Sequence, residues 1–403
     1  MTTTTTAATT DGGRAVAARA AATDDAVAGV APSVVAQPTS VDEVAVVLGG
    51  AREQRHVVVP VGGRTKTGWA APPSSCDVLL DLTGLDRVVE HTAGDLVVVA
   101  EAGVRLETLQ GQLAEAGQML ALDPPERGAT LGGIVSANAS GPRRLRYGTV
   151  RDLLIGVTVV LADGSVAHSG GKVVKNVAGY DLGKLYTGAH GSLGVVVSTT
   201  WRLHPLPQAH GAVVVPVRGS AEAGRLAALV NRSTLTPSAV ELAWGGGEGQ
   251  LVVLFESIPE SVGAQSDAAL ALLGAGTRSE DPPAWFGARP GDADDVVLRL
   301  AYEPFALPAV LDALGDAQVT ASTGTGVAYA AYPAETAVAA LPGLRQAIAP
   351  YDGTAVVVQA PTAVRSRLDH WGPLPDSFPL MERVKDRFDP ERRLSPGRLL
   401  GGL

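Results

Sequence analysis

From about Val30 onward, short apolar runs alternate with segments whose apolar residues recur at helical spacing, a strand–helix–strand pattern. Ser33–Ala36 reads as a strand, Pro38-Thr39-Ser40 as a turn, and Val41–Arg55 as a helix that groups Val44, Val47 and Leu48 on one face. Ser40 is placed to cap that helix, with Glu43 three residues on completing a capping box. The next strand, His56–Val61, runs directly into Gly62-Gly63-Arg64-Thr65-Lys66-Thr67-Gly68. Further strands are predicted at Val78–Leu82, Arg87–His91 and Leu96–Glu101, and Leu106, Leu109 and Leu113 predict a helix over 104–116. Asp163-Gly164, between the runs Leu154–Ala162 and Ser165–Ser169, predicts a hairpin.

After His204-Pro205-Leu206-Pro207 the pattern changes, and the proline pair marks a boundary. Strand-like Ala212–Val217, helix-like Ala221–Asn231, strands Ala239–Ala243 and Gln250–Phe255, and a helix near Ser261–Leu273 follow in order. The order recurs at Asp295–Ala301, Ala306–Leu314, Gln318–Ser322, Gly326–Tyr332 and Thr336–Ala349, with a last strand at Thr354–Gln359. Two β-α-β-β-α units, joined by a Pro-, Gly- and Asp-rich linker near Glu280–Asp292, predict a duplicated split βαβ arrangement with helices on one face of an antiparallel sheet. The chain thus divides into a disordered tail at 1–27, a first lobe at 28–206, an α+β cap at 207–379 and a C-terminal segment at 380–403. That segment carries a helix at Leu380–Phe388.

Composition narrows the function. A net charge of −9, with Lys and Arg scattered rather than run together, argues against a surface that tracks nucleic-acid phosphates. One cysteine, Cys76, cannot form an internal disulfide, complete a zinc cage or hold an iron–sulfur cluster, and no metal site is expected. The Thr-rich start has neither a basic nor an apolar signal-peptide region, and no stretch approaches the roughly 20 apolar residues of a spanning helix. A cytoplasmic protein is the expectation, with peripheral attachment to the inner face of the plasma membrane through partners left open.

The densest chemical signal lies between Asp123 and Val196, where glycines punctuate apolar strands. Glycine loops let backbone approach a large ligand and point N–H groups at a diphosphate. One such loop alone is as easily an ordinary turn after a strand. Loops at 62–68, 128–133, 170–171 and 188–194 in one lobe favour a ligand, and a flavin dinucleotide is the one they suggest. Neither a Gly-x-Gly-x-x-Gly fingerprint nor a Walker sequence occurs, which disfavours a Rossmann domain or P-loop.

Pro60-Val61-Gly62-Gly63-Arg64-Thr65, Thr130-Leu131-Gly132-Gly133, Tyr147-Gly148 followed by Asp152, Lys175–Asp181 and Gly188–Gly194, in this order, resemble the FAD-binding lobe of the vanillyl-alcohol oxidase / p-cresol methylhydroxylase (PCMH) family. The resemblance covers roughly residues 28–206, and Phe388-Asp389-Pro390 with Ser395-Pro396-Gly397-Arg398 matches that family's C-terminal return to the flavin. Within the family, Lys175–Asp181, Asp369-His370-Trp371-Gly372 and the short C-terminus most resemble the FAD-binding E subunits of bacterial glycolate oxidases.

The resemblance implies an α+β fold, a two-subdomain PCMH-type FAD-binding lobe followed by the cap. Gly62, Gly63, Arg64 and Thr65 would wrap the pyrophosphate. Thr130, Gly132, Gly133 and Ser136 would approach the diphosphate and ribityl chain, and Gly188, Gly191, Gly194 and Val195 would enclose the adenine side. Ser395 stands where the family commonly has Asn near the isoalloxazine ring. Members that bind flavin covalently carry His where this chain has Arg64, so non-covalent FAD is expected. For Lys175 and Tyr180 the plain alternative is a loop that pins the two halves of the lobe by hydrogen bonds.

Catalysis is less legible. Oxidising a 2-hydroxy acid at flavin needs a base for the hydroxyl proton and a cation for the carboxylate. Among the seven histidines, His56 and His168 lie at strand edges and His204 and His210 flank the linker, as surface or packing residues would. His190 sits in the adenine-side loop. His370, beside Trp371 and after Arg365 and Arg367, is the candidate base, with Arg367 as the cation. The catalytic subunits of related oxidases and dehydrogenases carry a His-rich cluster in the cap with a His-Gly-Asp element, which is missing between 207 and 360. An FAD-dependent oxidoreductase subunit is therefore expected. It would oxidise a small 2-hydroxy acid or relay its electrons, with a catalytic flavoprotein and an iron–sulfur subunit as partners. An autonomous 2-hydroxy-acid or alcohol dehydrogenase, and a cofactor-free scaffold favoured by Ser395 and by His190 in place of the usual acidic residue, are the alternatives.

Overall fold

The structure is a computed structural model that describes residues 16–172 and 180–403. Residues 1–15 of the expected tail, and residues 175–179 of the Lys175–Asp181 motif, lie outside the described residues. The first sheet contains β1 (Ala18–Ala20), β2 (Val34–Ala36), β3 (Val58–Val61) and β4 (Val78–Asp81) in the order β1-β2-β4-β3. β2 and β3 both run parallel to β4, and β1 is antiparallel to β2. A parallel sheet is covered on both faces, which is why these strands are continuous apolar runs. One face buries Val58, Val78 and Leu80 against Val44, Val47, Leu48 and Ala51 of helix α1 (Val41–Glu53). The other packs Val35, Val59, Val61 and Leu79 against Val27 and Cys76.

Val27 belongs to the segment assigned to a disordered tail, and that assignment needs correction for residues 16–27. Val16 and Ala18 are buried, β1 pairs with β2, and Arg19 holds Asp25 through two hydrogen bonds of 2.6 and 2.8 Å. The run is Ala-rich and lacks alternation, so its order comes from a sheet edge and an ion pair that no local pattern announces. The cap of α1 also differs in one detail. Ser40 Oγ accepts from Glu43 N at 3.2 Å, but the Glu43 carboxylate accepts from Thr39 N, one residue earlier than a capping box requires.

The second sheet is antiparallel: β5 (Val88–Thr92), β6 (Val97–Glu101), β7 (Leu154–Val160), β8 (Val166–Gly170) and β9 (Val195–Arg202), in the order β5-β6-β9-β7-β8. Helices α2 (Leu106–Glu115) and α3 (Leu131–Ala137) contribute Leu109, Leu113, Leu131 and Ile134 to its core.

The cap is one eight-stranded antiparallel sheet of β10 (Ala209–Arg218), β11 (Ala239–Gly245), β12 (Glu248–Ser257), β13 (Thr277–Ser279), β14 (Asp295–Ala301), β15 (Gln318–Ser322), β16 (Val327–Pro333) and β17 (Thr354–Gln359). Its order, β13-β10-β12-β11-β15-β16-β14-β17, places two split βαβ units about a pseudo-twofold between β11 and β15. Helices α4 (Ser220–Asn231), α5 (Pro259–Leu273), α6 (Leu307–Leu314) and α7 (Ala334–Ile348) cover one face, over a core that includes Val213, Phe255, Leu298 and Leu300. The opposite face meets the first lobe, where Trp69 packs on Val297, Ala331 and Val358. Arg143 also crosses to the cap, its guanidinium 2.6 Å from the buried Glu256 carboxylate.

Helix α8 (Phe378–Phe388) leads the chain back to the first lobe. Val58 N donates to Arg393 O and Ser395 N to Val58 O, so residues 393–395 extend the first sheet beside β3. The buried Lys385 ammonium secures this return by donating to Ser192 O, Asp389 Oδ2 and Leu394 O at 2.8, 2.7 and 2.9 Å. Among the described residues no helix is long and apolar enough to cross a membrane.

Candidate functional site

A cleft runs through the first lobe, lined by the C-terminal end of β3, the loop that follows it, α3, the start of β9 and the C-terminal segment. Gly62, Gly63, Arg64, Thr65, Thr130, Gly132, Gly133, Ser136, Gly191, Gly194, Val195 and Ser395 all line it. Gly188 does not. It lines an adjoining cavity on the cap side, because its N–H donates to Val135 O and holds it against the end of α3.

The backbone amides of Gly62, Gly63, Arg64 and Thr65 donate to no acceptor among the described residues. These half-buried N–H groups are free to meet a ligand, and four in succession suit the oxygens of a diphosphate. Ser395 Oγ, buried in the same cleft, also lacks a partner among the described residues. Two glycines are dictated by loop contacts as well as by ligand approach. A Cβ on Gly62 would stand 2.1 Å from Thr130 Oγ1, and Gly191 adopts φ +75° with a Cβ position 2.5 Å from Pro60 Cγ. The loops that shape the cleft therefore interlock, a packing role not anticipated from the sequence.

Arg64 contributes its amide, while its side chain turns to the N-terminal segment, 3.0 Å from Asp25 and 3.5 Å from Asp81. The basic side chains that face the cleft are Lys66 and Arg398. Lys66 lies 4.1 Å over the Trp69 ring and pairs with Glu126, which also contacts Arg289. Burial, then the nearby Arg289 and Arg299, pulls its ammonium down to about 6. Arg398 donates to Thr67 O at 2.9 Å, and burial lowers it to about 10. An anionic dinucleotide fits this donor set.

The adjoining cavity, about 220 Å³, shares Ala137 and His190 with the cleft and lies against the cap sheet. His370 lines it. Its Nε2 meets Arg365 O at 3.1 Å and must donate there, which leaves the buried, unpartnered Nδ1 with its lone pair. Burial lowers the imidazole's pKa, so this base is unprotonated at neutral pH. Arg367 does not join it. Its guanidinium makes a half-exposed bidentate pair with Glu335 at 2.8 and 2.9 Å and lines neither space. Arg299 of β14 lines the cavity instead. His190 stands at the junction of the two spaces, edge-on to Trp371, and burial first, then Arg398 and Lys66, push it down to about 3. Proximity in sequence to His370 suggested Arg367. Arg299 sits at a polar break in an apolar strand, and only the sheet's packing gives that position meaning. Tyr180, expected to help join the halves of the lobe, has an exposed side chain, and only its carbonyl is held, by Ser169 Oγ at 3.2 Å.

Residues 32–170 match the family model described as an FAD binding domain. The chain is 35% identical over 170 residues to glycolate oxidase subunit GlcE of Escherichia coli, a match covering 42% of this chain and 45% of that protein. It is 36% identical over 184 residues to the mitochondrial D-lactate dehydrogenase [cytochrome] of Arabidopsis thaliana, covering 46% and 32%, respectively. A D-2-hydroxyglutarate dehydrogenase of Xanthomonas citri matches at 36% over 177 residues, covering 44% and 38%. The chain thus spans less than half the length of these curated relatives. Among solved structures, p-cresol methylhydroxylase with substrate bound superposes with a TM-score of 0.72 at 18% identity, over 92% of this chain and 89% of that one. Residues 32–170 thus match an FAD-binding domain, FAD is the cofactor the cleft suits, and the chain as a whole shares the α+β fold of p-cresol methylhydroxylase.

Proposed function

We propose that this chain is the FAD-binding subunit of a glycolate oxidase-like complex, an oxidoreductase that passes electrons from a small 2-hydroxy acid into non-covalent FAD. The observation that carries the reading is the cleft of unpaired amides at Gly62–Thr65, within the residues that match an FAD binding domain. Oxidation of the alcohol to a 2-oxo acid releases two electrons and two protons, and bound flavin supplies a hydride acceptor. His370 Nδ1 is the group that would take the hydroxyl proton. Similarity to proteins named glycolate oxidase subunits GlcE and GlcD supports a place in a complex. The partners would be a catalytic flavoprotein subunit and an iron–sulfur subunit. Cys76 is buried, its thiol pushed up to about 12, and does not serve as a cluster ligand here.

The cavity beside the flavin cleft favours a second reading, an autonomous 2-hydroxy-acid dehydrogenase. Anaerobic mixing of the holoprotein with glycolate or D-lactate separates the two. Slow bleaching of the flavin alone and rapid bleaching with partner subunits is the expected result. Rapid bleaching of the isolated chain supports the autonomous enzyme, and an oxidised flavin under both conditions contradicts both readings.

A further inference from the structure

We propose that the cavity between the first lobe and the cap sheet is a binding site for a small 2-hydroxy or 2-oxo monocarboxylate, with Arg299 holding the single carboxylate, an inference that rests on the flavin reading above. Arg299 projects from the face of β14 that meets the first lobe, and it has no hydrogen-bond or ion-pair partner among the described residues. Among the described residues no Asp or Glu lines the cavity. The other ionisable groups on its wall, His190 and His370, are both shifted toward the neutral imidazole by burial. Among the described residues the wall therefore carries one fixed positive charge. A guanidinium in that setting recognises a carboxylate through paired N–H donors.

Two buried acceptors on the same wall also lack partners among the described residues: Asn138 Oδ1 and His370 Nδ1. Buried acceptors left unpaired are costly, and a ligand O–H satisfies one of them. The ligand defined by these groups has one negative charge and an adjacent hydroxyl, within a cavity of about 220 Å³, and its 2-oxo counterpart keeps only the carboxylate contact to Arg299. The remaining wall is largely apolar, formed by Trp69, Val356 and Val358 among others. A second carboxylate, as in 2-hydroxyglutarate, would be desolvated against that wall with no second free cation lining it among the described residues. One charge, rather than two, sets the substrate class.

The test uses the oxidised holoprotein with pyruvate and 2-oxoglutarate as non-reducing probes, read by the shift in the flavin absorbance and by calorimetry. Pyruvate should bind saturably and at least 10-fold more tightly than 2-oxoglutarate. Arg299→Met should weaken pyruvate at least 30-fold at unchanged flavin content, and Arg299→Lys should recover part of the loss. Glu335→Gln, which frees the distant Arg367, should leave binding as in the wild type. Undiminished pyruvate binding by Arg299→Met, or equal affinity for the two probes, overturns the proposal. Calorimetry reads probe binding without flavin. A chain that retains no FAD therefore sinks the underlying flavin reading, while its response to pyruvate still decides the cavity. Should Arg299→Met fail to fold, the Arg299→Lys protein and the probe preference decide it.

Discussion

Lys385→Met should destabilise the protein by about 3–5 kcal/mol and release the flavin, because it removes the cation from a fully buried pair. Lys385 and Asp389 are 1% and 0% exposed, and the ammonium also serves the carbonyls of Ser192 and Leu394. Without it the Asp389 carboxylate keeps Leu394 N at 2.7 Å but no counter-charge, and two buried carbonyls lose their donor. Ser192 lies in the loop that carries Gly191 and Gly194, and Leu394 precedes Ser395, so the pair joins two walls of the cleft. The loss should show first as local opening of residues 389–398, detected by limited proteolysis, together with a lower thermal midpoint. Lys385→Met combined with Asp389→Leu should recover much of the stability, since it leaves no unpaired charge. A single variant with wild-type midpoint and flavin content would contradict this account of the C-terminal return.

Gly191→Val should reduce FAD affinity by at least 100-fold, about 3 kcal/mol at 1.4 kcal/mol per decade. At φ +75° a β-branched residue is strained before any contact is considered. Its Cβ would also stand 2.5 Å from Pro60 Cγ, directly ahead of the unpaired amides of Gly62–Thr65. The 188–194 loop must then move away from β3 and widen the cleft. Flavin content after desalting reads the effect. Gly49→Ala in α1, with open space around the added carbon, is the control that should keep its flavin. Equal flavin content in both variants would show that the interlocked loops do not shape the cofactor site.

The cap was legible because its strands alternate and its β-α-β-β-α order repeats, so pattern alone reached the β10–β12 and β14–β16 units. The glycine loops were legible for a related reason: backbone approach restricts residue type locally, whatever the distant contacts. Residues 16–27 were not, since an Ala-rich run becomes ordered only through β2 and the Arg19–Asp25 pair. The cation of the cavity was misplaced for the same kind of reason. Arg367 is close to His370 along the chain but is drawn outward by Glu335, whereas Arg299 reaches the cavity from β14, the strand beside the β17 edge of the cap sheet. His190 likewise gained its place at the cleft–cavity junction from the loop's contact with α3, where His190 N donates to Ser136 O at 2.9 Å. Chemistry assembled from separate strands leaves little trace in local spacing.

FAD should bind the first lobe reversibly and without a covalent bond, which titration of FAD into flavin-stripped protein measures. One FAD per chain, bound saturably and recovered in the supernatant after acid precipitation, is the expected result. A chain that takes up no FAD and stays colourless would contradict the claim and leave the cofactor-free scaffold in its place.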